Sequence, residues 1–145
     1  VNEVPGMAMI LNKKKFSNNF FDENFFLYLE ETDLCKRVKE SGEKIIEINA
    51  EVSHLGNQSH KHHDSFEIEK SRNWHWMWSK FYFNKKHYGY LIALFKVFKN
   101  LISAKIKFFY YLITFNTFKR KIYQMRLLGL MSSMIGKNSY YRPNL

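Results

Sequence analysis

Residues 91–109 have the sequence LIALFKVFKNLISAKIKFF, and their periodicity determines how the second half of this chain folds. Apolar residues recur every three or four positions, which places them on one stripe of a 3.6-residue helix. They are Leu91, Leu94, Phe95, Phe98, Leu101, Ile102 and Phe109. Lys96, Lys99 and Lys107 fall away from the centre of this stripe. The pattern predicts an amphipathic α-helix.

Helical spacing continues on both sides of this stretch. On the N-terminal side, large apolar residues recur at Trp74, Met77, Trp78, Phe81 and Tyr82. The polar run at residues 84–86 and the glycine at position 89 predict a break in this helix. A last helix is predicted from about residue 117 to residue 135. Residues 65–145 are therefore expected to be helical throughout.

The charges of the 145-residue chain are divided at the same place. It carries 23 Lys and Arg against 13 Asp and Glu, and all the acids precede residue 71. Residues 71–145 therefore hold 14 basic side chains and no acid. Lysines interleaved with aromatics suit nucleic acid, an anionic membrane surface, or a helix core with a charged exterior. A one-sided apolar stripe favours the membrane surface over nucleic acid, and core packing is the other explanation.

Several classes of protein are excluded by composition. Cys35 is the only cysteine, so neither an internal disulfide framework nor a cysteine-rich zinc site is expected. The longest uncharged stretch of the second half is the eleven residues 108–118. A spanning helix needs about 20 apolar residues, so no conventional transmembrane helix is predicted. No signal peptide is recognisable, and without an initiator Met we interpret the chain as a fragment.

The first half has a mixed pattern. Short apolar or alternating runs at residues 7–11, 44–49 and 51–54 predict strands. A helix is predicted from near Glu30, because acids crowd its first turn, and it should stop at Ser41-Gly42. These elements predict an α/β fold for the first half. The expected domains are residues 1–63 and the basic helical region 64–145.

Three carboxylates, Glu30, Glu31 and Asp33, lie together at the start of that helix. Mutual repulsion is expected to raise pKa values there. Glu31 shares the face of the apolar residues that follow it, which places it at the edge of a core or cleft, where it would suit a general base. Asp33 and Arg37 have the i, i+4 spacing of an ion pair. The alternative explanation is an ordinary helix N-terminus that favours acids.

Four histidines, His54, His60, His62 and His63, lie at or within a polar loop. Imidazole binds divalent metals, but this spacing matches no familiar zinc pattern. A solvated loop explains the last three. His54 ends an extended segment and is the better candidate for a ligand.

Several segments of the chain resemble family 2 glycosyltransferases of bacteria, particularly the rhamnosyltransferase-like members. Residues 5–10 are PGMAMI and residues 21–37 are FDENFFLYLEETDLCKR. The family has Gly-Ala-x-Met and then Gly-Gly-Phe-Asp-Glu-x-Phe-Phe-x-Tyr-x-Glu-Asp-x-Asp-Leu-Cys-x-Arg. The later match is to its Ala-x-Val-x-His-x-Gly-x-Ser stretch, by Ala50, Val52, His54, Gly56 and Ser59. Residues 71–73 and 128–137 resemble its C-terminal part more loosely.

The resemblance implies the C-terminal half of a GT-A (Rossmann-like) fold and inverting transfer of a sugar. The donor would be a nucleotide sugar and the acceptor a lipid-linked glycan of a surface polysaccharide. It implies that Glu31 is the base, that Glu30 and Asp33 bind the acceptor, and that His54 binds a divalent metal (Mg²⁺ or Mn²⁺) or the donor diphosphate. The enzyme would lie in the cytoplasm, peripherally on the inner face of the cell membrane.

The chain also departs from this family. Glu31 stands where the family has Asp, and Asn19-Phe20 replaces its Gly-Gly. The nucleotide-binding half with its Asp-x-Asp motif is not among residues 1–145, so this portion alone is expected to be inactive. The alternative function is a non-catalytic, basic membrane-binding or interaction module derived from such an enzyme.

Overall fold

The described part of the chain contains four α-helices. The computed structural model describes Val4, Gly6, residues 8–12, Lys14 and residues 20–49, 51–53 and 65–142. The helices are α1 (Glu30–Glu40), α2 (Ser65–Tyr88), α3 (Tyr90–Ile113) and α4 (Thr117–Met134). Helices α2, α3 and α4 pack on one another, and α1 lies beside α2.

The predicted α/β fold is wrong, because the described residues form neither a strand nor a sheet. The partial GT-A (Rossmann-like) architecture is overturned with it. Residues 44–49 were predicted as a strand, but they run without regular structure and are mostly exposed. Residues 8–11 and 51–53 are likewise not strands. An alternating pattern describes one strand only, and a strand persists only where a second segment completes its ladder of backbone hydrogen bonds.

The predicted helix boundaries agree with the structure where turn residues mark them. Helix α1 begins at Glu30 and ends before Ser41-Gly42, where Gly42 has a φ of 79°. Gly89, with a φ of 84°, separates α2 from α3. The break predicted from residues 84–86 and Gly89 therefore lies at Gly89 alone, since α2 continues through residues 84–86 to Tyr88. Helix α4 begins after Asn116, whose side chain accepts a hydrogen bond from the Lys119 N–H.

The core lies between α2, α3 and α4. Its buried residues are Met77, Phe81, Ala93, Val97 and Leu130, with Trp74, Trp78 and Met125 in an adjoining cluster. Gly129 allows α4 to approach α2 closely: a Cβ atom there would lie 2.9 Å from the carbonyl carbon of Trp74 and closer still to its oxygen. Glycine is therefore required at this crossing.

The segment after α4 returns across α2. The indole N–H of Trp78 donates to the Lys137 carbonyl at 2.9 Å, and His75 Nε2 donates to the Tyr141 carbonyl at 2.8 Å. Ser139 then donates to the carbonyl of Asn24 at 2.7 Å, which joins the C-terminal segment to the loop before α1. None of the helices in the described part of the chain is long and apolar enough to cross a membrane.

Candidate functional site

The loop before α1 is held in a strained conformation. Tyr28 and Leu29 are consecutive left-handed residues, with φ values of 71° and 68°. A non-glycine residue adopts this conformation at a cost, and surrounding contacts must hold it. Ser79 of α2 supplies one contact by donating to the Leu27 carbonyl at 2.8 Å. Phe25 is buried with its ring edge-on to Tyr82. Glu30, the first residue of α1, follows these two strained residues directly.

Glu30 and Glu31 are partly buried, and neither carboxylate is fully hydrogen-bonded. Each has one buried oxygen, Oε2, that makes no hydrogen bond within the described residues. Burial raises the pKa of Glu30, the hydrogen bond from its own backbone N–H opposes this, and the charge of Glu31 adds to the rise. Gly6 lies beside the Glu31 side chain. Each carboxylate therefore has an acceptor oxygen that the described residues leave unsatisfied, and both side chains are still partly exposed.

Asp33, one turn further along α1, is in the opposite situation. Its side chain is fully buried, and its oxygens accept from Arg37 Nε at 2.8 Å, Lys86 Nζ at 2.7 Å and His87 Nε2 at 2.8 Å. Burial acts to raise the pKa of Asp33, but the hydrogen bonds from Lys86, Arg37 and His87 outweigh it and hold that pKa below its usual value. The predicted Asp33–Arg37 pair is confirmed. These bonds fix α1 to the end of α2.

Lys86 also bonds a second carboxylate. Its ammonium lies 2.8 Å from Asp22 Oδ2, which accepts from the Tyr82 hydroxyl at 3.0 Å as well. Burial alone would raise the pKa of Asp22, but hydrogen bonds from Lys86, Asn24 and Tyr82 lower it to about 2. Burial, together with the hydrogen bond to Asp22, raises the pKa of Tyr82 to about 12. An open cleft of about 380 Å³ adjoins this network, lined by Phe21, Asp22, Glu23, Asn24, Arg37 and Lys86.

The first residues of α2 bring a positive charge close to the loop. Burial raises the pKa of Tyr28, and the nearby Arg72 guanidinium opposes that rise. Asn73, next in the chain, accepts from Arg126 Nε at 2.6 Å and donates to Glu69 Oε1 at 2.7 Å. Asn73 therefore joins α2 to α4, whereas Arg72 is exposed on the side of Tyr28.

Of the predicted site residues, Glu30, Glu31 and Asp33 share one turn of α1. His54 lies outside the described residues, as do His60, His62 and His63. In the ranges that are described, no group of three His, Cys, Asp or Glu is placed to hold a metal ion. The metal site therefore stays a prediction, and the chemistry proposed below assigns no step to a metal.

Sequence reasoning missed Asp22, Tyr82, Lys86 and His87. Their partners lie more than fifty residues away in the chain, as the Asp33–His87 and Asp22–Lys86 contacts illustrate. Local spacing carries no sign of such pairs. The one available signal was that residues 85–87 end a helix, where basic side chains are favoured.

Comparison with known protein families, with curated proteins and with solved structures gave no match to this chain.

Proposed function

We propose that this chain is the acceptor-side portion of an inverting glycosyltransferase. The enzyme would move a sugar from a nucleotide-sugar donor to a lipid-linked glycan acceptor in surface polysaccharide synthesis. The donor would bind to a nucleotide-binding part that carries the Asp-x-Asp motif, which residues 1–145 do not contain. The proposal depends on the acidic pair and its surroundings and not on a Rossmann-like sheet.

The observation that carries this proposal is the pair Glu30 and Glu31, each with a buried oxygen that lacks a hydrogen-bond partner in the described part of the chain. Partly buried carboxylates with spare acceptors are suited to bind and deprotonate a hydroxyl. The strained residues Tyr28 and Leu29 support the proposal, because such strain is concentrated at functional sites.

In the proposed reaction, an acceptor hydroxyl attacks the anomeric carbon of the donor sugar. The bond from that carbon to the nucleoside diphosphate breaks, the diphosphate leaves with the bonding electrons, and the anomeric configuration inverts. Glu31 takes the hydroxyl proton, while Glu30 accepts a hydrogen bond from a second acceptor hydroxyl. Asp33 acts as a positioning residue, because its bonds to Lys86 and His87 hold this turn of α1 against α2.

The test is made in the full-length enzyme that contains this chain. Glu31→Gln removes the proton acceptor and keeps the shape, so kcat should fall by about 10² to 10⁴. Donor affinity should stay the same. Glu30→Gln should mainly raise KM for the acceptor. Glu47→Gln, an exposed carboxylate in the segment after α1, is the matched control. A Glu31→Gln enzyme with unchanged kcat would remove Glu31 from the role of base.

The proposed location is the cytoplasmic leaflet, where a lipid-linked acceptor would be presented. The 14 basic and no acidic residues of positions 71–145 support an anionic surface as the partner. One observation favours the alternative function, a non-catalytic membrane-binding module: the outer face of α3 is apolar and uncovered. Transfer activity that is unaffected by substitution of both Glu30 and Glu31 would select that alternative.

A further inference from the structure

Helix α3 has two apolar faces. Ala93, Val97 and Ala104 are buried against the other helices, with Leu94 and Leu101 packed beside them. The opposite face is exposed along the whole helix. Its central residues are Leu91, Phe95, Phe98, Ile102, Ile106, Phe109 and Ile113, and Ile92, Tyr110 and Leu112 are exposed beside them. The single stripe expected from the sequence therefore belongs to two surfaces, since Leu94 and Leu101 face the core while Phe95 is 83% exposed.

The exposed face, called here the outer stripe, is narrow and straight. At 3.6 residues per turn its seven central side chains fall within about 80° of the helix circumference and extend about 33 Å. On the same wheel Lys99 and Lys105 lie about 20° beyond its two edges, one on each side. A shallow groove of about 360 Å³ follows the stripe, lined by Phe98, Lys99, Ile102, Ser103, Ile106 and Lys107. The stripe is thus an apolar surface with a lysine on either side.

Aromatic side chains continue beyond the end of α3. Phe115, in the turn to α4, is 86% exposed and has a φ of 53°. The backbone there is strained for a phenylalanine, and the ring still lies in solvent. Phe118, in the first turn of α4, is also exposed. An exposed apolar surface of this extent marks an interaction site.

The charges identify the kind of partner. Residues 71–145 carry no acid, so a second copy that paired through its own outer stripe would bring lysines against lysines. Lys99 and Lys105 require an anionic surface on both sides of an apolar one. The interface of a bilayer with acidic phospholipids offers this arrangement, with acyl chains for Phe95 and Phe98 and phosphates for the lysines.

We propose that the outer stripe of α3 lies in the headgroup–acyl boundary of an anionic membrane, with Lys99 and Lys105 on phospholipid phosphates. Helix α3 then lies in the plane of the membrane while its other face remains packed in the bundle. This deepens the peripheral location proposed above and is independent of the transfer chemistry. Composition indicates only that the membrane contact lies within residues 64–145, and this proposal places it on α3.

The test is flotation of the chain with vesicles of phosphatidylcholine alone and of phosphatidylcholine with phosphatidylglycerol. The native chain should float with the anionic vesicles and much less with the neutral ones. Leu91→Ser with Phe95→Ser should lower the partition coefficient more than about tenfold. Lys99→Gln with Lys105→Gln keeps every apolar side chain and should lower it on the order of 20-fold.

Two controls keep the result specific. Ile46→Ser with Val52→Ser changes exposed apolar residues outside α3, and Lys85→Gln with Lys137→Gln removes two other exposed lysines. Both should bind as the native chain does, and circular dichroism should show equal helicity in all variants. Equal binding to neutral vesicles, or native binding by the Leu91 and Phe95 variant, would overturn the proposal. So would a native dimer that this variant dissociates, because the stripe would then be covered by a second copy.

Membrane contact and catalysis are separated by two further measurements. In the full-length enzyme, Glu31→Gln should float like the native protein although it transfers no sugar. Leu91→Ser with Phe95→Ser should still transfer sugar to a water-soluble acceptor. A Glu31→Gln enzyme that transfers sugar at the native rate would overturn only the catalytic proposal, whereas a Leu91 and Phe95 variant that still floats would overturn only the membrane proposal.

Discussion

Phe81 and Asp33 are both fully buried, and they lie in regions that are held together by different forces. Around Phe81, three helices pack through apolar side chains such as Met77 and Leu130. Around Asp33, α1 and its preceding loop are fixed to α2 by hydrogen bonds and ion pairs as well as by buried apolar residues such as Leu34, with Lys86 shared between Asp22 and Asp33. The stabilisation from apolar burial is non-directional and depends little on pH. The stabilisation from each carboxylate here depends on particular hydrogen-bond donors and on the charge of the carboxylate.

We therefore expect that the acidic first turn of α1 can be displaced while the bundle of α2, α3 and α4 stays folded. Glu30 and Glu31 lie in the charged region, directly before Asp33. Their position is therefore as sensitive to pH and to single polar substitutions as the network that holds α1. The outer stripe belongs to the apolar region and should be insensitive to both.

The largest effect is expected from Phe81→Ala in the apolar region. The ring is completely buried, and its removal leaves a cavity, so unfolding should become easier by about 4 kcal/mol. Phe95→Ala is the matched control in the next helix, since that ring is mostly exposed and its loss should change stability by about 0.5 kcal/mol or less. Urea unfolding followed by circular dichroism measures both. Equal losses would mean that α3 buries Phe95 in solution.

Asp33→Asn should have a smaller effect, confined to the charged region. The substitution removes the charge that Lys86 and His87 face, and we expect a loss of about 2 kcal/mol. This is below the cost of breaking a fully buried pair, because Lys86 and Arg37 are partly in solvent. Hydrogen exchange should quicken in α1 and stay unchanged in α4. Glu47→Gln, at an exposed position, should leave both rates as they are.

The same carboxylate makes the front of the molecule sensitive to acid. The pKa of Asp33 is lowered in the folded chain, so its contribution to stability is complete above the unfolded value of about 3.9. The contribution is lost as the pH falls through the lower, folded pKa. The protection factors of the α1 amides should therefore fall below about pH 4 in the native chain, and this fall should be weaker in the Asp33→Asn variant, where Asp22 still titrates.

The sequence predicts the features of this fold that depend on neighbours in the chain. Glu30 as a helix start and Ser41-Gly42 as its end follow from acids in a first turn and a glycine after the last, and both agree with the structure. Strands could not be predicted in this way. Residues 44–49 alternate well enough, but their pattern does not say whether a second strand lies beside them.

The candidate site, like the fold, could be predicted only where its features depend on neighbours in the chain. The acidic turn is visible in the sequence because Glu30, Glu31 and Asp33 are adjacent. What makes those three carboxylates different from one another is not visible, because the bonds that Asp33 makes come from Lys86 and His87, more than fifty residues away in the chain. Likewise, periodicity placed Leu94 and Phe95 on one stripe, and only the packing of α2 and α4 separates the buried side from the exposed one.

The smallest effect, and the sharpest test of the shared lysine, is expected from Lys86→Gln. Lys86 is the strongest of the hydrogen-bonding partners that lower the pKa of Asp22 to about 2. Without the ammonium, that pKa should rise but stay below the usual value, because Asn24 and the Tyr82 hydroxyl still donate to the carboxylate. Carboxyl ¹³C shifts followed through an acid titration measure the change directly.

Lys85→Gln is the control for this substitution, because Lys85 is the preceding residue of the same helix and is exposed. It removes one charge from the end of α2 without touching Asp22, so the pKa of Asp22 should move much less. If both variants raised that pKa equally, the net positive charge of the helix end would be the cause. A rise for Lys86→Gln alone would show that the Lys86 ammonium itself makes the link. It bonds Asp22 in the loop before α1 and Asp33 in α1, the helix that carries the acidic pair.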